Sequence, residues 1–256
     1  MPKIVKTDIN LTDAADVSAL IHAIDIVGDL SLVEFLLQKG ASVNHITKSS
    51  GYTALLTAVR NGRKDIVEAL LKSGALPNQA NHDGNTALHI AVMRRNLPLV
   101  RFFMQETNAD PNRKNLQGET PVHVAFDELH DPTIVDCESV ELLQALCQMD
   151  NVKINAVNNK GETPLHIASQ VGDVESVSYL LTLGADVFIK NEDGKRPIDI
   201  CEEDEIKVML QEAMQTSTGS FSFKDQQKVT TFGGNTNNNS ATDEPSQLQK
   251  CKSIVY

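Results

Sequence analysis

A short pattern returns along the chain at an interval of 33 residues, and no other feature of the sequence constrains the fold as strongly. Residues 51–59 read GYTALLTAV, 84–92 GNTALHIAV, 118–125 GETPVHVA and 161–168 GETPLHIA. The steps from Gly51 to Gly84 and from Gly161 to Gly194 are both 33 residues. A second pattern alternates with the first: DLSLVEFLLQKGASVN at 29–44, KDIVEALLKSGALPN at 64–78 and DVESVSYLLTLGADV at 173–187. A unit this short cannot bury both faces of its helices alone, so stacked neighbours must make the core continuous.

Each unit reads as two short helices. Thr120-Pro121 and Thr163-Pro164 have the order of an N-cap followed by proline at the first helical position. The threonine hydroxyl can accept an unpaired backbone N–H, and proline has none to leave unpaired. Leu55 and Ala58, Leu88 and Ala91, and Leu165 and Ala168 share a helix face by their i,i+3 spacing. Val67, Leu70 and Leu71, and likewise Val177, Leu180 and Leu181, form the stripe of a second helix. Gly40, Gly74 and Gly184 stand where those second helices should end. Aromatic residues make up only 4% of the chain and tryptophan is absent, which suits thin aliphatic layers between stacked short helices.

Two motifs in fixed order give the chain its resemblance to the ankyrin-repeat family, over about residues 11–213. The resemblance implies an all-α repeat solenoid in which each unit is a hairpin-like turn, two antiparallel helices and a returning loop. Six units follow, at about 15–48, 49–81, 82–115, 116–158, 159–191 and 192–213. Residues 1–14 are then an N-terminal extension. Residues 214–256 hold 21 Asn, Gln, Ser and Thr among 43 and are expected to form a disordered tail. The first unit is irregular, with Ser18-Ala19-Leu20 in place of Thr-Pro-Leu and an extra residue before Gly28. The sixth is short, and its Glu202, Glu203, Asp204 and Glu205 suit the solvated face of a terminal cap, with a binding role as the alternative. The fourth is long: Thr120 to Thr163 spans 43 residues, with the excess in LHDPTIVDCESV and QMDNVKIN. These insertions read either as partner contacts or as tolerated surface loops.

Composition excludes several function classes. Acidic residues number 34 against 23 basic, a net charge of -11, and the tail is slightly positive, so the acidity belongs to the repeats. Such a field disfavours general nucleic-acid binding. No apolar run approaches the roughly 20 residues of a membrane helix, and MPKIVKTDIN lacks an apolar signal core. The 4 cysteines form no CxxC pair, which fits a reducing compartment, cytoplasmic or nuclear. His89, His123 and His166 occupy one place in three units, and the resemblance implies that they fix neighbouring units rather than bind metal. His22 reads as a core or helix variant. His130 and Asp131, in the fourth-unit insertion, with neighbouring Asp127 or Glu128, mark the place where a metal site or a weak enzymatic activity would have to lie. Neither HExxH nor a GxxxxGK[ST] loop occurs, and no nucleophile is matched with a base. No catalytic residue, metal ligand or cofactor is therefore assigned.

In the family, variable turn tips and the exposed side of the first helices line a concave groove. The corresponding residues here are Arg60 and Asn61, then Met93, Arg94 and Arg95, then Asp127 and Glu128, then Gln170 and Val171. Turn-tip positions include His82, Asp83, Arg113, Lys114, Asn158 and Lys160. This places a basic stretch on units two and three beside an acidic stretch on unit four. Charges so arranged orient a partner and speed its encounter. Met93, Phe126 and Val171 are candidates for apolar contacts, with Phe126 alternatively in the core. The expected function is a protein–protein interaction module, acting as adaptor, scaffold or regulatory subunit. The alternative is a stoichiometric enzyme inhibitor that uses the fourth-unit insertion. At the C-terminus, Ile254-Val255-Tyr256 fits loosely the ends captured by PDZ-type domains. Cys251 offers a single site for a weak lipid contact.

Overall fold

The computed structural model describes residues 8–126, 137–148 and 151–217. Six helix pairs follow one another in sequence order. Helix α1 (Ala19–His22), extended by a π-helical turn (Ala23–Val27), pairs with α2 (Leu30–Gln38). Then come α3 (Ala54–Arg60) with α4 (Lys64–Lys72), α5 (Ala87–Met93) with α6 (Leu97–Glu106), and α7 (Pro121–Val124) with α8 (Cys137–Leu146). Finally α9 (Pro164–Val171) pairs with α10 (Val174–Thr182), and α11 (Pro197–Ile200) with α12 (Asp204–Ser217). Among the described residues there is no strand, only an isolated bridge between Thr12 and Ser18. The architecture is an all-α repeat solenoid.

Local chemistry sets the helix starts. Thr53 and Thr163 accept the N–H of the residue three positions on, at 3.2 and 3.4 Å. Asn96 and Asp173 cap the second helices of the third and fifth repeats in the same manner, and Asp29 caps that of the first by accepting the Ser31 N–H. Proline opens α7, α9 and α11. The small residues Ala58, Ala91 and Ala168 on the first helices, and Ala125 at the C-cap of α7, are buried where successive units approach. Val33, Val67, Val100 and Val177 line the second helices, and a single apolar cluster runs from Leu20 to Leu210. Phe126 belongs to this core, so it does not contribute an exposed apolar contact.

The irregular first unit has a simple mechanical solution. Its extra residue before Gly28 is absorbed by the π-helical turn Ala23–Val27, which closes through the Gly28 N–H to the Ala23 carbonyl at 2.8 Å. The N-terminal extension is not separate from the stack. Asn10 accepts the Ser42 N–H at 2.7 Å and donates to the Gly40 carbonyl at 3.4 Å. At the other end α12 continues to Ser217, four residues beyond the boundary read from composition. The repeats lie within one compact unit, Met1–Thr218. The expected tail from 218 onward lies outside the described residues, as do residues 127–136 and 149–150, which hold parts of the two fourth-unit insertions.

Candidate interaction surface

The surface rests on side chains that tie each repeat to the next. Asn44 donates to the Gly74 carbonyl at 3.0 Å and accepts the Leu76 N–H at 3.1 Å. Asn78 repeats this with Asn108 and Asp110, and Asn112 with Asn151 and Lys153. Asn155 accepts the Asp186 N–H. At the turns, Asn81, Asn115 and Asn158 each accept two backbone N–H groups of their own turn. Asn158 is therefore a buried turn-closing residue and not a contact at the tip. Neighbouring tips are joined by backbone bonds, from His82 to Ser50, Leu116 to Asp83, Asn159 to Gln117 and Glu192 to Lys160. His89, His123 and His166 add a third set: each bonds its own N-cap threonine and the main chain of the following turn. The histidines do fix neighbouring units.

On this frame, the residue pairs at the C-terminal ends of four first helices recur at one place. They precede the residue that turns the chain into the second helix with a positive φ: Gly28, Gly62, Arg95 and Gly172. The strip reads Ile26-Val27, Arg60-Asn61, Met93-Arg94 and Gln170-Val171, all exposed except half-buried Arg60. Asp127 and Glu128, at the fourth-repeat place, lie outside the described residues. Ile26 and Val27 were missed in the sequence reading because the extra residue shifts the count forward from Ser18. Counting back from Gly28 finds them. They are 74% and 61% exposed, and Ile26 is the most exposed large apolar side chain among the described residues. Met93 and Val171 add apolar surface further along.

The basic stretch is smaller than the sequence suggests. Arg60 forms an ion pair with Asp25 at 2.8 Å and lies over the Tyr52 ring at 4.9 Å. Asn61 donates to the same Asp25 oxygen at 3.2 Å. The Asn61 amide, seconded by Arg60, holds the Asp25 carboxyl below the usual carboxylate range. Arg60 and Asn61 thus satisfy a charge of the preceding repeat. Arg95 is half-buried and occupies the turning position at φ 49°. Lys114 donates to the Val157 carbonyl at 2.6 Å. Exposed Arg94 and Arg113 carry the positive charge that faces outward, with His82, Asp83 and Lys160 at the turn tips.

Among the described residues no three His, Cys, Asp or Glu side chains converge as metal ligands. His22 pairs with Asp13 at 2.9 Å, and His130 with its acidic neighbours lies outside the described residues. Burial pushes the Cys147 thiol up to about 11, and Cys201 is buried with its thiol donating to the Glu203 carbonyl. Neither thiol is set up as a nucleophile. No helix among the described residues is long and apolar enough to cross a membrane.

Family models described as ankyrin repeats match residues 2–81, 62–104 and 148–201. The crystal structure of the ankyrin repeat domain of Bcl-3, described as a unique member of the IkappaB protein family, is similar to this chain at 26% identity. The match covers 80% of this chain and 86% of that one, with a TM-score of 0.68. No curated protein matches. Repeated sequence motifs, helix pairs stacked by asparagine and histidine ladders, and these matches agree: the chain belongs to the ankyrin-repeat family.

Proposed function

We propose that the chain captures protein partners along the strip Ile26-Val27, Met93-Arg94 and Gln170-Val171, with Arg113 at the turn tips, acting as an adaptor, scaffold or regulatory subunit. An ankyrin-repeat stack is a protein-interaction module. The observation that carries the assignment to this strip is its contrast with the frame beneath it. Threonine, asparagine and histidine side chains are spent on inter-repeat bonds, whereas the strip presents apolar and cationic groups to solvent at regular intervals. A rigid frame lowers the ordering cost of binding. Apolar anchors ringed by polar groups are the usual anatomy of a contact surface.

Affinity capture with the full chain tests this. Ile26→Asp/Val27→Asp and Met93→Glu/Arg94→Glu should each lose partners that the native chain recovers, with an unchanged melting temperature. Recovery of the same partners by both double variants would remove the strip from the binding surface.

A further inference from the structure

We propose that the groove between α4 and α6 is a second docking site, for a partner segment in which a bulky apolar side chain is flanked by carboxylates. The site goes beyond the strip just described: it is built by second helices, not first helices.

Second helices of neighbouring repeats pack side by side along the stack, α2 on α4, α6 on α8, α8 on α10 and α10 on α12. Between α4 and α6 the backbones approach less closely than in these pairs, although side chains of both helices share the core. The gap is a groove of about 710 Å³, lined among others by Lys64, Leu71, Lys72, Ala75, Phe102 and Glu106. It adjoins a further 340 Å³ that shares Lys64 and Phe102 and reaches Arg101. These are the dimensions of a side-chain or ligand pocket rather than of a packing defect. Leu71, Ala75, Pro77 and Phe102 give it an apolar strip within a mostly polar lining. Phe102 is half-buried and meets the fully buried Phe103 edge-on at 5.8 Å, so its ring is held in place. The Lys64 ammonium stands 5.4 Å from the Phe102 ring centre.

Charge selects the occupant. Glu68 is paired with Lys64 at 3.9 Å. Lys72, across the gap from Phe102, and Arg101, next to it in sequence, have no ion-pair partner among the described residues. Among the described residues Glu106 is the one unpaired carboxylate of the lining, and it limits how far an acidic footprint extends. The wider field agrees. Residues 49–115 carry nine basic and five acidic side chains, and residues 116–217 carry six basic and twenty acidic. An acidic segment is thus repelled by the later repeats and drawn to the two that form the groove. Its apolar side chain would seat on Leu71 and Phe102, and its carboxylates would reach Lys72 and Arg101.

Selection of randomised 12-residue peptides on the purified full chain tests the site, with anisotropy titrations of the enriched peptides. The expected enrichment is an aromatic or large aliphatic residue between Asp or Glu residues. Lys72→Glu/Arg101→Glu, both at exposed positions, should weaken these peptides by about tenfold or more with an unchanged melting temperature. Phe102→Ala should weaken them as well, and Arg94→Glu should not. Failure to enrich any peptide, enrichment of basic peptides, or binding that survives Lys72→Glu/Arg101→Glu would overturn the proposal. Loss on Arg94→Glu alone would overturn it too, and would place acidic partners on the first-helix strip instead.

Discussion

The imidazole Nε2 of His123 donates to the main-chain oxygen of Glu162 at 3.1 Å, a contact between residues 39 positions apart that joins the fourth repeat to the fifth. The other ring nitrogen faces the Thr120 hydroxyl at 2.8 Å and the Thr120 N–H at 3.2 Å. This set of partners requires the neutral ring, with its proton on Nε2. Burial lowers the pKa of His123, and of His89 in the same setting, to about 4. The folded-state pKa lies below the unfolded value, so the unfolded chain binds more protons between pH 6.5 and 4. Stability from each ring is complete above 6.5 and is lost as pH falls towards 4. Between pH 7 and 5 the loss is about 2 kcal/mol per histidine. Urea denaturation at the two pH values should show it, and His123→Gln should reduce the difference while lowering stability at pH 7 by about 1–3 kcal/mol.

What the sequence displayed and what it concealed divide along physical lines. The helix pairs were legible because Thr163-Pro164, Ala168 and Gly184 mark a cap, a close approach and a stop within one unit. The histidines were legible because they recur with the motif. Relationships that depend on register or on a neighbouring repeat were not. Asn10 is a lone residue in an otherwise featureless leader, and its role is visible only once its bonds to Gly40 and Ser42 are seen. Asp25 and Arg60 sit 35 positions apart, and the extra residue in the π-helical turn hides their alignment, so Arg60 read as a free cation. The groove beside Phe102 depends on the spacing of two helices that no local pattern records.

The asparagine ladder stops at the last described returning loop. Position 188, 33 residues after Asn155, is Phe188, and in the sixth repeat that follows, α12 continues to Ser217 where the earlier repeats turn back. Asn78→Ala should cost about 1–2 kcal/mol, because the Asn108 carbonyl and the Asp110 N–H lose their shared partner. Phe188→Asn should change stability by less than about 0.5 kcal/mol. Equal costs in denaturant titrations would show that the rungs do not contribute through inter-repeat bonding.

Gly84 and Gly194 form a matched pair for separating backbone strain from collision. Both have positive φ, 80° and 74°. A Cβ on Gly84 would lie 2.8 Å from the Leu116 N, whereas one on Gly194 meets nothing within 4 Å among the described residues. Gly194→Ala should therefore cost only the left-handed conformation, about 1 kcal/mol. Gly84→Ala should cost about 3 kcal/mol or more, since the next turn must move and its bond from the Leu116 N–H to the Asp83 carbonyl is strained. Similar melting temperatures for the two variants would contradict the close approach of adjacent turns.

Ser169 occupies the place of Val59, Val92 and Phe126 in the preceding repeats. It is fully buried, and its hydroxyl has no hydrogen-bond partner among the described residues. Burying an unpaired hydroxyl costs about 1–3 kcal/mol, and removing it leaves no other group unsatisfied. Ser169→Ala should thus raise stability by about 1 kcal/mol, with unchanged helical content by circular dichroism. The gain should be independent of pH between 5 and 7, unlike that of any change at His123. Destabilisation by Ser169→Ala would mean that the hydroxyl has a partner in solution, and the packing of the fourth repeat on the fifth would then have to be revised around it.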